Sequence, residues 1–497
     1  MSKSATAKTN VVLVDAVRTP FGKAGSLYAE TRADDIMVRC IRGLIERNPN
    51  LPVDQIDEVA IAAATQTGDQ GMNIGRSVSI LAGIPKTVPG YSIDRWCAGA
   101  LTAVTTIAGG INMGAYDLAI AGGVEHMGHH PMGDGMDPNP RYLAEKLVDT
   151  DALQMGATAE RLHDKFPHLT KERADKYALA SQQKTAAAYA ANKIQPDLIP
   201  VATRTAELGW GMATVDEPPR PQTTLEALAA LKTPFRAAGR VTAGNAAGLN
   251  DGATAERLHD KFPHLTKERA DKYALASQQK TAAAYAANKI QPDLIPVATR
   301  TAELGWGMAT VDEPPRPQTT LEALAALKTP FRAAGRVTAG NAAGLNDGAT
   351  AAILASESKA KELNLPIKAK LVSFAFAGVE PEIMGYGPVP STIKALAKAG
   401  LDITDIGLFE VNEAFAIQVL SFLDHFGIAD DDKRVNIYGG AIAVGHPLAS
   451  SGVRLILNLA NGFKEQPEVR YGITTMCIGL GMGGTIIWEN PNYKGAK

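Results

Sequence analysis

The chain has 497 residues, 45% of them hydrophobic and 21% charged, with a formal net charge of −2. The length predicts two or three domains, and the near-neutral charge excludes a general attraction to nucleic acid or an anionic membrane surface. No apolar run reaches about 18 residues, which excludes a spanning helix, and three cysteines (Cys40, Cys97, Cys477) exclude a disulfide scaffold.

The chain passes from a short polar tail into "NVVLVDAV", with no signal-peptide pattern, so a cytoplasmic enzyme with reactive thiols is expected. In chain order, "NVVLVDAV", "EVAIAAAT" and "DLAIAGGVE" predict buried strands, and "ADDIMVRCIRGLIER" and "ALTAVTTIAGGINMG" predict the helices between them. This alternation predicts an α/β layered fold. From His126 the Gly-, Pro- and Met-rich "HMGHHPMGDGMDPNPRYL" marks an excursion from the sheet.

Within the excursion the chain repeats itself. Gly156–Asp251 recurs letter for letter as Gly252–Asp347, 96 residues on, and a third "GATA" follows at Gly348. Perfect identity, two copies and a long period argue against a solenoid and for a tandem duplication in a shorter parent. Taking one 96-residue block from 497 leaves 401. Any 96-residue window starting between Gly156 and Gly252 leaves and returns between residues adjacent in that parent, about 3.8 Å apart. The expected exit is the "GWGMATVDEPPRPQ" loop, with helices from copy one and "TAGNAAGLND" from copy two. The surplus is expected to be partly disordered, protease-sensitive and aggregation-prone.

Regular alternation resumes at "AAILAS" and continues through "IKAKLVSFAFAG", "PSTIKALAKAG", "DIGLFEVNEAF", "SGVRLILNLANGF", "YGITTMCIG" and "GGTIIWEN". The domain reading is therefore an N-terminal half, 1–125, with 330–358 returning to it. An excursion at 126–329 and a C-terminal half at 359–497 complete it.

Cys97, in "YSIDRWCAGALTAVTTIAGG", falls between a strand exit and a helix start, where the helix dipole favours thiolate and Ala98, Gly99 and Ala100 leave room for a substrate. His446, in "NIYGGAIAVGHPLASSGVRL", is displayed on a glycine-rich turn with a helix starting at Ser450 or Ser451. Cys477, in "TTMCIGLGMGGTII", ends an apolar strand, and Asn412 and Glu413 end another. Two such thiols and a histidine suggest a nucleophile and a base. Cys40, in a helical stretch, reads as core. His126, His129 and His130 have metal-like spacing but no evident acidic partner, and are not assigned to a metal.

"WCAGAL", "NEAFA", "GGAIAVGHPLASSG" and "CIGLGMGG", in this order, resemble the signature segments of thiolases, supported by "DAVRTPFGK", "MGATAE", "TAGNAAGLNDGA" and "MGYGPVPS". "GGVEHMGHHPMG" is most similar to the degradative 3-ketoacyl-CoA thiolases, especially the β subunit of bacterial fatty-acid oxidation complexes. The resemblance implies a layered thiolase-like fold of two similar α/β halves. It implies Cys97 as the acyl-carrying nucleophile and His446 as its activator and an oxyanion donor. Cys477 would move the α-proton, and Asn412 would hold a water in an oxyanion hole. Coenzyme A would be a substrate, with no metal or redox cofactor. Arg220, its copy Arg316, Ala343 and Met155 would line the coenzyme A site. A homo-oligomer and a hydratase/dehydrogenase partner subunit are implied too. The chain departs from the family at Gly99-Ala100, at "GHPLASSG", at "CIGLGMG", and at Ala247 and Ala343, which lack a hydroxyl many thiolases use. The alternatives are a biosynthetic acetyl-CoA acetyltransferase and an inactive thiolase-like lipid-binding or assembly subunit.

Overall fold

A computed structural model describes residues 9–132, 135, 137–149, 152, 155–205, 209–231, 233, 239–243, 245–246, 297–301, 305–309 and 346–495.

Strand β1 (Val11–Arg18) is buried along its whole length. Val11, Leu13 and Ala16 enter one core, whereas Val12, Val14 and Val17 enter another. Burial on both faces is why the sequence shows a continuous apolar run rather than an alternation. Helix α1 (Ala33–Arg47) buries Ala33, Ile36, Met37, Cys40, Ile41 and Leu44, one stripe at helical spacing, with Asp34 and Asp35 in its first turn and Arg47 in its last. Next come β2 (Glu58–Ala62), α2 (Ile74–Ala82), β3 (Gly90–Ile93), α3 (Gly99–Asn112) and β4 (Leu118–His126). Helices α4 (Met155–Lys165) and α5 (Lys171–Ala190) follow, then hairpin β5 (Val201–Thr205)–β6 (Gly209–Ala213). The same hairpin forms again from the second copy as β7 (Val297–Thr301)–β8 (Gly305–Ala309).

Strand β9 (Asn346–Ser356) returns to the N-terminal half and lies between β1 and β4. The C-terminal half comprises β10 (Ala369–Gly378), α6 (Pro388–Ala399), β11 (Ile406–Val411), α7 (Ala416–His425), α8 (Ser451–Glu465), β12 (Tyr471–Ile478) and β13 (Met482–Glu489). Together the strands form one ten-stranded sheet in the order β11-β12-β13-β10-β1-β9-β4-β2-β3, with the short Gly22–Lys23 segment paired on β9. The halves meet at a narrow seam, where Val12 faces Lys370 and Leu13 faces Ala369.

Helices α3 and α8 share one core with both halves of the sheet, through Leu101, Val104 and Ile107 of the first and Val453, Leu455 and Ile456 of the second. They approach closely because position 452 is glycine: a Cβ there would lie 2.4 Å from the Leu101 nitrogen. The outer face of the N-terminal half is covered by α1 and α2, and that of the C-terminal half by α4, α5, α6 and α7. The layered α/β arrangement of two halves agrees with expectation.

The expected exit for the surplus does not hold. Copy one's Pro-rich loop is anchored: Asp216 forms a bidentate pair with Arg18 (2.5 and 2.6 Å), and Glu217 accepts the Lys23 N–H and the Ser26 hydroxyl. Copy one then continues into the core. Glu160 accepts the N–H groups of Arg240 and Val241, Asn245 donates to Asp175 (2.8 Å), and the Asn245 carbonyl accepts from Ala416. Copy two enters the main sheet at Asn346. The sequence identity of the copies hid this choice, since only tertiary partners distinguish them. The expected disorder of the surplus concerns stretches outside the described residues, as do Arg316, Ala247 and Ala343.

Candidate active site

Cys97 lies in a short 3-10 turn, Trp96–Ala98, that leads into α3. Trp96 holds a left-handed φ of 46°, uncommon and costly for a side chain of this size. Its indole rests on Gly479, where a Cβ would lie 2.0 Å from the ring. The Gly479 N–H reaches the Cys97 sulfur. The turn is thus locked to the end of β12, which carries Cys477, and the two thiols are near enough to interact electrostatically.

The turn also packs on Leu448–Ser450, the segment just after His446. A Cβ on Gly99 would lie 2.6 Å from that of Ala62 and 3.0 Å from that of Ala449. The small residues after Cys97 therefore serve the protein's own packing. They do not leave the room for a substrate that the sequence suggested.

His446 is only 1% exposed, so the glycine-rich turn does not display it. Gly445 has φ 97°, and a Cβ there would lie 2.9 Å from the Asn346 amide, which accepts the His446 N–H. These glycines accommodate buried polar groups. His446 Nδ1 lies 2.6 Å from the Ser451 hydroxyl, and Nε2 lies 3.4 Å from Asn412 Nδ2. Asn412 follows β11, and its Oδ1 accepts from Arg454 Nη2 at 3.1 Å. Helix α8 begins at Ser451, as expected. Glu413 is bound by Tyr177, Ser181, Asn436 and the Ile442 N–H, which fixes α5 of copy one to this loop.

The electrostatics correct one expectation. Burial pushes the Cys97 thiol up to about 12, and outweighs both the Gly479 contact and the helix start. Burial, with Arg454 adding, pushes His446 down to about 3. Burial raises Cys477 as well, and Cys97 adds to it. The resting site therefore holds neutral thiols and a neutral imidazole. Ionising either Cys97 or His446 alone is unfavourable.

Ser451, Arg454, Asn346 and Glu125 are missing from the site residues that the sequence reading proposed. Glu125 is buried behind Cys97, where it accepts the Ala64 and Ala449 N–H groups and Gln70. The readable signal was Arg454, a cation in the first turn of α8 directly before the apolar run Leu455–Leu457. The other predicted residues stand on separate elements. Cys40 is buried in α1. Met155 begins α4, packed on the core of the C-terminal half. Arg220 is exposed on the Pro-rich loop, its guanidinium donating to the carbonyls of Glu217, Pro218 and Pro219. The histidines have an acidic partner that the sequence hid: Asp69 binds His129 (2.9 Å) and His130 (2.5 Å), and His126 Nε2 faces the Tyr28 and Thr31 carbonyls.

Two halves meeting around paired thiols, an imidazole and an amide define a class. The chain matches the thiolase N-terminal domain over residues 11–261 and again over 252–358, and the thiolase C-terminal domain over 365–490. It belongs to the thiolase family and is an acyltransferase. It is 35% identical over 485 residues to a 3-ketoacyl-CoA thiolase of Aliivibrio fischeri, covering 97% of this chain and 100% of that protein. The 3-ketoacyl-CoA thiolase of Pectobacterium carotovorum is 35% identical over 482 residues, covering 96% and 99%. Among solved structures, the Bacillus anthracis acetyl-CoA acetyltransferase superposes with a TM-score of 0.70 at 27% identity, covering 98% and 100% of the two chains. Human mitochondrial 3-ketoacyl-CoA thiolase in complex with CoA gives 0.70 at 27%, covering 97% and 98%.

Proposed function

We propose that this protein cleaves 3-ketoacyl-CoA with coenzyme A, giving acetyl-CoA and a shortened acyl-CoA, in the degradative direction of β-oxidation. The observation that carries the proposal is the meeting of Cys97 and Cys477 at one turn, beside the loop of His446 and Asn412. Cys97 gives its proton to His446, and its sulfur bonds to the C3 carbonyl carbon. The oxyanion so formed is held by His446 and by a water on Asn412. The C2–C3 bond then breaks, and Cys477 protonates the departing acetyl-CoA enolate. The acyl group remains on Cys97 as a thioester. Cys477, now a thiolate, takes the proton of a second coenzyme A thiol, whose sulfur attacks the thioester, and His446 returns its proton to the departing Cys97 sulfur, which closes a ping-pong cycle.

Arg220 and Met155, with Arg316 and Ala343, are proposed to line the coenzyme A site. A homo-oligomer is supported by β3, an edge strand beside the exposed Met72 (92%) and Leu81 (49%). A hydratase/dehydrogenase subunit that delivers the 3-ketoacyl-CoA rests on the family resemblance alone. No described helix is long and apolar enough to cross a membrane. The three free thiols are in keeping with a reducing cytoplasm. The domain division 1–125 with 330–358, 126–329 and 359–497 is part of this proposal.

The test is a thiolysis assay that follows loss of 3-ketoacyl-CoA and formation of acetyl-CoA with and without coenzyme A. Coenzyme A-dependent cleavage supports the proposal. Condensation of acetyl-CoA with no cleavage of longer 3-ketoacyl-CoA favours the biosynthetic reading, and neither reaction favours an inactive thiolase-like subunit.

A further inference from the structure

Arg454 sits on the fourth residue of α8, where the helix dipole disfavours a cation. It is 1% exposed, and no acidic group forms an ion pair with it among the described residues. Its Nε and Nη1 have no hydrogen-bond partner. Glu410, whose carboxyl burial pushes up to about 8, interacts with it electrostatically. A buried arginine so placed costs several kcal/mol.

Its single hydrogen bond goes to Asn412 Oδ1. Arginine only donates, so this contact fixes which end of the amide faces it. Asn412 Nδ2 then points toward His446 Nε2, which must accept. That requires the proton on Nδ1, which faces the Ser451 hydroxyl, and Ser451 in turn donates to the Pro447 carbonyl (3.4 Å). Every member of the sequence Arg454, Asn412, His446, Ser451, Pro447 donates to the next. Turning the amide over would set its NH2 against the guanidinium and leave Nε2 without a donor.

We propose that Arg454 is a positioning residue of the thiolase reaction, orienting the Asn412 amide so that its NH2 faces the lone pair of His446 Nε2. It acts only through Asn412, without touching substrate. The assignment rests on the thiolase reading of the site.

The test uses the full chain and the variants Arg454→Met, Arg454→Lys, Asn412→Ala and Arg454→Met/Asn412→Ala. Methionine has similar length and removes an uncompensated charge, so folding should survive. Arg454→Met should lower kcat by about 10- to 100-fold, the scale of a misplaced group, with KM for both substrates little changed. Arg454→Lys, which keeps a donor and a charge, should recover part of that loss. The double variant should be no slower than Asn412→Ala alone. Multiplicative losses would overturn the assignment, because Arg454 would then act by another route. Crystals of Arg454→Met give a readout independent of turnover: the Asn412 amide is expected to turn away from His446. An amide still aimed at Nε2 would overturn the proposal even if the wild-type protein performs no thiolysis, whereas wild-type inactivity with a turned amide would sink only the thiolase reading.

Discussion

Arg18 and Asp216 form a bidentate ion pair with almost no solvent contact, and Tyr189 donates to the same carboxylate at 2.6 Å. Asp216 belongs to the first copy of the duplicated block, and its equivalent in the second copy is Asp312. Removing one partner of a buried pair strands the other charge, at about 3–5 kcal/mol. Asp216→Ala should therefore lower the melting temperature markedly, whereas Asp312→Ala should leave it unchanged. Equal effects of the two changes would mean that both copies compete for Arg18.

Cys97→Ser should abolish acyl transfer. A serine hydroxyl ionises far less readily than a thiol, so no comparable nucleophile would replace it. After incubation with 3-ketoacyl-CoA, mass spectrometry should find the acyl group on Cys97 and none on Cys40, which α1 buries. A label on Cys40 would remove Cys97 from the mechanism.

Cys477→Ala should still take acyl groups from simple acyl thioesters, since that half-reaction needs only Cys97 and His446. It should lose exchange of the acetyl α-protons with deuterated solvent. Exchange at the wild-type rate would assign that proton to another group.

Two buried histidines each contribute stability that is lost in mild acid, whereas two carboxyls that burial raises, Asp347 beside His126 to about 7 and Glu410 to about 8, contribute in the opposite direction over the same range. Burial depresses His126 from its ordinary 6.5 to about 4, and His446 to about 3. Between those values and 6.5 the unfolded chain binds more protons at each histidine, so its contribution rises with pH there. It is complete above about 6.5 and is lost as pH falls toward the folded values, by about 2 kcal/mol for each histidine at pH 5. His129 runs the other way. Despite its burial, the Asp69 contact raises it, so its smaller contribution is present in acid and fades as pH rises through its folded value. Denaturant unfolding of the wild type and of His126→Gln at pH 7 and pH 5 isolates the His126 contribution: relative to the wild type, the variant should be about 2 kcal/mol more stable at pH 5 than at pH 7. No such difference would mean His126 is charged in the fold.

Deleting Gly252–Asp347 leaves 401 residues of the 497 and puts Asn250-Asp251 where Asn346-Asp347 now begin β9. This variant should be at least as active per site and more soluble. A folded but inactive product would assign a function to the second copy.

Local order was legible wherever chain neighbours decide it. Helix α1 runs over the 15 residues read from its stripe and charged ends, and α8 starts where the residues after His446 implied. Cys97, Cys477 and Asn412 stand where the local pattern placed them, at a helix start, near a strand end and just after a strand. What could not be read depends on distant partners. Asp69 finds His129 and His130 about 60 positions away. Gly99 makes room for Ala62 and Ala449 rather than for a ligand. Burial overrides the helix start at Cys97, and burial is a property of the finished fold.

The narrow seam between the halves has a consequence for how activity is divided along the chain. Cys97 comes from the N-terminal half; His446, Asn412 and Cys477 come from the other, and only Val12–Leu13 and Lys370–Ala369 join their strands directly. The interdigitation of Leu101 with Gly452 therefore brings the two sets of side chains together. A chain cut between Glu362 and Ala369 would yield one fragment with a nucleophile and no base, and another with a base and no nucleophile. Recovered acyl transfer on mixing the fragments would serve as an enzymatic signal of their reassembly.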